Sequence, residues 1–192
     1  MRRGRRSRKD FILDTIGRRS IVLVGMMGCG KSAIGKMLAH KLELEFRDAD
    51  SEIEVAADRS VAEIFEDYGE SEFRRLENRV IDRLMAEGPS VLAIGGGAFI
   101  NDETRQTILE KGLSVWLKTD IDTLLERVMR KPGKRPLLTK GDPREIMTDL
   151  MKIRDPVYAQ SELHVQSLGG RKAEMRNHLL QSIHDYLKKQ EK

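Results

Sequence analysis

One glycine-rich segment of this 192-residue chain has the residue types and the spacing that hold a nucleoside triphosphate. Residues 25–32 read Gly-Met-Met-Gly-Cys-Gly-Lys-Ser, which fits the phosphate-loop pattern G-x-x-x-x-G-K-[ST]. Glycines allow backbone N–H groups to approach phosphate oxygens, and the N-terminus of the following helix adds partial positive charge. Lys31 should bridge the β- and γ-phosphates, and the Ser32 hydroxyl should coordinate Mg²⁺. The predicted ATP contacts in this loop are Gly28, Cys29, Gly30, Lys31, Ser32 and Ala33.

Two carboxylates, Asp48 and Asp50, follow a second strand candidate at residues 44–47. Residues two apart in an extended chain point the same way, so both side chains would face one point at the carboxyl edge of a sheet. One could then serve Mg²⁺, through water, while the other accepts the proton of an attacking hydroxyl. The alternative is a solvated acidic turn that leads into a helix N-terminus.

A triple glycine, Gly95-Gly96-Gly97, directly follows the apolar run at residues 91–94. Three residues without side chains expose backbone donors and let a small molecule approach the main chain closely. A flexible turn is the alternative, but the position at the end of a predicted strand favours a binding role.

Arginines provide the candidate anion contacts. Arg74 and Arg154 each follow an apolar residue on a predicted helix, and a guanidinium fork suits a carboxylate substrate, although either could be an ordinary surface residue. Arg135 lies in a basic stretch rich in proline and glycine, which indicates a mobile surface lid that neutralises the transferring phosphoryl group. Arg127 and Arg130 flank the entrance to this lid, where one of them would stack on adenine.

The elements that position these residues alternate along the chain. Short apolar runs at residues 21–24, 91–94 and 113–117 predict buried strands, and amphipathic patterns between them predict helices. A capping box at residues 60–63 opens a helix that Gly69 should end, and Ile153 should face inward on a later helix. The alternation predicts an α/β fold with a parallel sheet covered on both faces.

Composition limits the function further. Hydrophobic residues make up 39% and charged residues 34% of the chain, Cys29 is the single cysteine, and no apolar run approaches the roughly 20 residues of a membrane span. Neither a secretion signal nor the spacing of a zinc site is evident, so we expect a soluble, cytoplasmic protein with no membrane partner.

The charge is unevenly distributed. Residues 1–19 hold eight Lys/Arg and two Asp/Glu, whereas the remainder holds 27 and 29, so the net charge of +4 comes from the N-terminus. We predict that residues 1–19 form a mobile basic leader. Its apolar residues Phe11, Ile12, Leu13 and Ile16 could instead dock as one or two helical turns, and a weak contact with RNA or an anionic surface is the functional alternative. The nearly neutral remainder argues against a nucleic-acid-binding core.

Together these residues resemble the shikimate kinase family. The matching segments, in chain order, are residues 25–32, 46–50, 73–77, 95–97, 135–138, and Arg154 with Tyr158 four residues on. The resemblance covers nearly the whole chain from about residue 21. It implies a P-loop fold like that of nucleoside monophosphate kinases, with three α/β/α layers, a five-stranded parallel sheet and a small mobile lid. The implied domain spans residues 20–192, with a substrate-binding region at about 48–80 and the lid at about 130–140.

The resemblance also implies the reaction: transfer of the ATP γ-phosphate to the 3-hydroxyl of shikimate, in the pathway to chorismate and the aromatic amino acids. Asp50 would bind the shikimate hydroxyls and accept the proton, with Lys31 and Arg135 as the other catalytic residues. Arg74 and Arg154 would hold the carboxylate, and Gly95, Gly96 and Gly97 would contact the substrate. One Mg²⁺ would bind Ser32 with support from Asp48. Arg127, Arg135 and Arg171 would contact ATP, in a monomer without nucleic acid.

Two alternatives remain open from the residues alone. One is a kinase for another small polyol or carboxylic acid, such as a gluconate-type sugar acid. The other is a nucleotide-gated RNA-binding module, suggested by the basic N-terminus. Such a module has no need for Asp50, Arg74 and Arg154 together.

Overall fold

The computed structural model describes residues 7–130, 141–167 and 170–191. Predicted site residue Arg135 and most of the predicted lid lie outside these ranges. The described strands are β1 (Ser20–Val24), β2 (Glu45–Asp48), β3 (Ser90–Ala93), β4 (Gly112–Lys118) and β5 (Leu163–Gln166). The described helices are α1 (Arg8–Ile16), α2 (Lys31–Leu42), α3 (Ala49–Ala57), α4 (Val61–Ala86), α5 (Asp102–Lys111), α6 (Ile121–Met129), α7 (Pro143–Tyr158) and α8 (Lys172–Gln190), with a short 3₁₀ turn at Ala98–Ile100.

The five strands form one parallel sheet in the order β2-β3-β1-β4-β5. The central strand β1 is buried along its whole length, and Val22 lies opposite Leu92 on one side and Ser114 on the other. Helices cover both faces, as an all-parallel sheet requires. The prediction of an α/β fold with a five-stranded parallel sheet is therefore confirmed.

Parallel strands end at the same edge of the sheet, and three of these ends carry the predicted site. β1 leads into the glycine loop at residues 25–32, β2 ends at Asp48, and β3 is followed within two residues by the triple glycine. Because β1 and β2 both pair with β3, their three carboxyl ends are neighbours at one edge. The topology therefore brings together residues as far apart in sequence as Gly25 and Gly97.

Capping residues set several helix boundaries, including the one that the sequence predicted at residues 60–63. Ser60 and Glu63 form the expected capping box at the start of α4, and Asn101, Asp120 and Asp142 each cap the helix that follows. Gly69 has the non-helical angles φ 79° and ψ 174°, so the helix that begins at Val61 is interrupted there, as predicted, and a second helical segment of α4 follows. One other expectation is wrong, because the side chain of Ile153 is 66% exposed.

The prediction of a mobile leader over residues 1–19 is wrong for its described part. Residues 8–16 form helix α1, capped by Ser7 and packed against α8 and α2. Ile12 and Ile16 are fully buried in the core, and Lys9 forms an ion pair with Glu43 at 2.5 Å. Burial of these isoleucines outweighs the repulsion among the neighbouring basic residues, so the docking alternative describes this segment. Among the described residues, no helix is long and apolar enough to cross a membrane.

Candidate active site

The glycine loop between β1 and α2 adopts a backbone that only glycine accommodates easily. Gly25, Gly28 and Gly30 have φ values of 139°, 84° and 102°. A Cβ atom on Gly25 would also lie 2.9 Å from the Leu117 carbonyl oxygen. Gly30 stands at the N-terminus of α2, so the positive end of that helix points at the loop. The loop therefore has a tight glycine backbone next to the N-terminus of a helix, as the motif predicts.

Lys31 lies over this loop. Its ammonium group donates hydrogen bonds to the carbonyl oxygens of Gly25 at 2.7 Å and Met26 at 3.1 Å, and it lies 3.8 Å from the Cys29 sulfur. Cys29 itself is buried and fills space beneath the loop. A charged donor held only by neutral carbonyls can exchange them for phosphate oxygens, which form stronger charge-assisted hydrogen bonds.

Ser32 and Asp48 form the pair expected at a Mg²⁺ site. The Ser32 hydroxyl donates a hydrogen bond to Asp48 Oδ2 at 2.7 Å, which joins the first turn of α2 to the end of β2. Hydroxyl and carboxylate oxygens are the ligand types that Mg²⁺ prefers, usually alongside substrate phosphates and water. The donor set and its position next to the phosphate loop both fit that ion.

Asp50 is placed differently from the prediction. It lies in the first turn of α3 instead of in extended chain, so it does not share a strand face with Asp48. Its side chain faces the triple glycine, with Oδ1 3.0 Å from where a Cβ on Gly95 would stand. The protein atoms around the carboxylate limit its hydration and so raise the pKa of Asp50; the charge of Asp48 adds to this rise, while Lys31 and Arg74 oppose it.

The triple glycine is where the predicted substrate residues meet. A Cβ on Gly97 would collide with the Arg74 guanidinium, and one on Gly96 would stand 3.2 Å from Arg154 Nη1. Together with Asp50 at Gly95, these contacts bring the two arginines and the aspartate around one short turn. Sequence spacing could not predict this, because Arg74 belongs to α4 and Arg154 to α7.

Glu77 is a site residue that the sequence reasoning missed. It is fully buried, it pairs with Arg74 at 2.5 Å, and its Oε1 lies 3.1 Å from the same Gly95 position that Asp50 approaches. Burial raises the pKa of Glu77, and the Asp50 charge adds to this, although Arg74 acts in the opposite direction. The available signal was its spacing three residues after Arg74, which puts both side chains on one face of the helix.

Three further arginines were predicted at the nucleotide. Arg127 is half-buried, and its guanidinium donates to the Cys29 carbonyl at 3.2 Å, next to the glycine loop. Arg130 is exposed and pairs with Glu126 on its own helix. Arg127 is thus the better placed of the two to meet a nucleotide. Arg171 is exposed just before α8, and among the described residues no hydrogen bond joins it to the glycine loop.

Comparison with known proteins identifies relatives of the chain. The family model for shikimate kinase matches residues 27–184. The shikimate kinase of Brucella canis is 49% identical over 182 residues, which cover 95% of this chain and 90% of that protein. The shikimate kinase of Bartonella henselae is 46% identical over 179 residues, covering 93% and 85% of the two chains.

Solved structures also superpose on the chain. The shikimate kinase from Acinetobacter baumannii, in complex with shikimate, superposes with a TM-score of 0.83 at 34% identity, covering 91% of this chain and 97% of that one. A gluconokinase from Sinorhizobium meliloti 1021 superposes with a TM-score of 0.61 at 17% identity, covering 90% and 95%. The second similarity extends to the fold alone.

Proposed function

The chain belongs to the shikimate kinase family, and from this premise we propose how its own residues carry out ATP-dependent phosphorylation of shikimate. This reaction, in the aromatic pathway, transfers the γ-phosphate of ATP to the 3-hydroxyl of shikimate and gives shikimate 3-phosphate and ADP. One observation carries the assignment: Asp50, Arg74 and Arg154 converge on the glycine turn at residues 95–97, at the sheet edge that also holds the phosphate loop.

The two arginines bind the shikimate carboxylate. Arg74 and Arg154 approach the turn from different helices, so they can take hold of one anionic group from two sides. Glu77 holds Arg74 in place through their ion pair. Gly95, Gly96 and Gly97 contact the substrate through the main chain. A Cβ atom on any of them would come within 3.2 Å of a charged side chain, so there is little room for a side chain at these positions.

Asp50 orients the 3-hydroxyl and accepts its proton. The hydroxyl oxygen forms a bond to the γ-phosphorus, the bond from that phosphorus to the bridging oxygen breaks, and ADP leaves. The proton passes to an Asp50 carboxylate oxygen. Desolvation and the charge of Asp48 raise the pKa of Asp50, which makes its carboxylate a stronger base for this step, while Lys31 and Arg74 oppose the rise.

The phosphate loop holds the donor. Backbone N–H groups from Gly28 to Ala33 cradle the phosphates, Lys31 bridges the β- and γ-phosphates, and Arg127 lies against the loop. Ser32 and Asp48 would hold one Mg²⁺, which when bound offsets negative charge on the phosphates.

Arg135 is proposed to close over the γ-phosphate, with Arg171 at the nucleotide. The enzyme is proposed to act as a monomer.

Replacement of Asp50 tests the catalytic assignment. Asp50→Asn keeps the size of the side chain but removes the proton acceptor, so kcat with shikimate should fall by about 100-fold or more. Its affinity for ATP, measured by calorimetry, should stay within about three-fold of the wild type. The control is Asp82→Asn. Asp82 lies away from the glycine turn, and its carboxylate pairs with Lys111 at 2.5 Å. An unchanged kcat in Asp50→Asn would remove Asp50 from catalysis.

A further inference from the structure

Tyr158 is a fully buried residue at the end of α7 that the reaction scheme leaves without a role. Its ring packs against Trp116 of β4, with 6.0 Å between the ring centroids. It follows Arg154 by four residues, so both side chains leave the same face of the helix. The hydroxyl of a buried tyrosine usually has a hydrogen-bond partner. Packing alone does not require that partner to lie in the proposed substrate site, but the partner of Tyr158 does lie there.

The Tyr158 hydroxyl donates a hydrogen bond to the Gly96 carbonyl oxygen. It also lies 3.9 Å from the sulfur of Met26, in the phosphate loop. A Cβ on Gly96 would stand 3.6 Å from this hydroxyl, 3.2 Å from Arg154 Nη1 and 3.7 Å from the Gly25 carbonyl. A single hydroxyl therefore lies where the glycine turn, the carboxylate-binding arginine and the phosphate loop approach one another.

The hydrogen bond has a consequence for the next peptide group. The Gly96 C=O and the Gly97 N–H belong to one planar trans peptide and point in opposite directions. With its carbonyl directed at Tyr158, this peptide aims the Gly97 N–H away from Tyr158. Among the hydrogen bonds of the described residues, none uses the Gly97 N–H, so this donor is available to a ligand. The adjacent 3₁₀ turn is held separately, by the bond from Ala98 N–H to the Gly95 carbonyl.

We propose that Tyr158 is a positioning residue for shikimate, which holds the Gly96 carbonyl and thereby aims the Gly97 N–H at the substrate beside Arg154. This inference rests on the proposed function. It adds a residue that touches neither the reacting hydroxyl nor ATP but sets the geometry of the turn that receives the acid. Because Gly96 has no side chain to anchor it, the hydroxyl supplies the restraint that the turn lacks.

The direct test is Tyr158→Phe, which keeps the ring and removes the hydroxyl. The KM and the calorimetric Kd for shikimate should each rise about ten-fold, the equivalent of one hydrogen bond, while the KM for ATP stays within about two-fold. Tyr186→Phe is the matched control, because it removes a hydroxyl from a partly buried tyrosine of α8 and should change neither constant. Unchanged shikimate binding in a less stable Tyr158→Phe protein would overturn the inference, as would equal losses for both substrates.

A second measurement uses the wild-type chain, in case the variant does not fold. The protein has three tyrosines, so ¹³C labelling at the ring carbon that bears the hydroxyl yields three resonances. Saturation with shikimate should shift the Tyr158 resonance more than that of Tyr186, and an unmoved Tyr158 resonance would overturn the proposal. A wild-type protein that fails to phosphorylate shikimate would refute the proposed function itself, whereas an active wild type with unaffected Tyr158→Phe binding refutes only this inference.

Discussion

Glu77 shows, at the scale of a single residue, how a buried carboxylate orients a neighbouring arginine. One of its oxygens pairs with Arg74 at 2.5 Å, and the other, Oε1, is buried without a hydrogen-bond partner among the described residues. Arg74 also contacts Glu70 at 3.2 Å, but that carboxylate is 70% exposed and so interacts more weakly with Arg74. The orientation of Arg74 toward Gly97 therefore depends mainly on Glu77.

Glu77→Gln should weaken shikimate binding. The amide keeps the shape of the side chain but removes the charge that orients Arg74, so the KM for shikimate should rise about ten-fold. The KM for ATP should change little. The matched control is Glu72→Gln on the same helix, where an exposed glutamate pairs with Arg75 at 3.1 Å and the same spacing. If both variants show the same KM for shikimate, Glu77 does not orient Arg74.

The buried state of Glu77 also predicts a pH-dependent stability. Its pKa is raised on folding, so the folded chain binds more protons than the unfolded chain, and the Glu77 contribution to stability falls as pH rises. The free energy of unfolding of the wild type, relative to Glu77→Gln, should therefore decrease as pH rises from about 4, near the ordinary glutamate pKa, and then level off. Urea titrations at several pH values measure this difference. A difference that is constant or that increases with pH would contradict the assignment.

At this scale the sequence indicated which residues lie near the triple glycine better than it indicated their backbone conformation. Asp50, Arg74 and Arg154 were predicted from residue type, motif and resemblance, and the structure brings all three to the triple glycine. Asp50 was expected in extended chain, yet it begins a helix, since Asp48 ends β2. Glu77 and Tyr158 lie in segments that carry the resemblance, but the sequence assigned neither a role, because their burial and their contacts near the triple glycine appear only in the folded chain.

Helix α1 is the clearest case at the scale of an element. Its basic residues predicted a mobile leader, but the two isoleucines on its inner face are buried against α8 and α2. Charge density is visible in a sequence, whereas the apolar surface available to receive a nine-residue helix is set by the rest of the fold. The capping signals of α4, α5, α6 and α7 could be predicted because each depends on residues within one turn.

Truncation of Ile12 should therefore destabilise the whole chain. Ile12→Ala removes a fully buried side chain, so the free energy of unfolding in urea should fall by about 2–4 kcal/mol. Val55→Ala removes a branched apolar side chain from a helical position that is 82% exposed, and its effect should stay within about 0.5 kcal/mol. Equal stabilities for Ile12→Ala and the wild type would mean that α1 contributes no packing energy. The folded fraction of Ile12→Ala should retain the wild-type kcat.

The parallel sheet explains the site at the scale of the whole molecule. Strand order β2-β3-β1 puts the phosphate loop, Asp48 and the triple glycine at one edge, and α3, α4 and α7 bring Asp50, Arg74 and Arg154 to the same place. The proposed donor site and the proposed acceptor site therefore share one edge, which is the arrangement that direct phosphoryl transfer needs. A basic N-terminus explains none of this arrangement, so the RNA-binding alternative has no support from the site.

The most direct test of the account compares acceptors for the wild-type enzyme. ADP release with ATP and Mg²⁺ is measured by a coupled assay in the presence of shikimate, of gluconate, or of neither, and the phosphorylated product is identified by ³¹P NMR. We predict ADP release that depends on shikimate, with a phosphate monoester as product, and release with gluconate no faster than with no acceptor. Activity with gluconate and none with shikimate would contradict the assignment of the acceptor site.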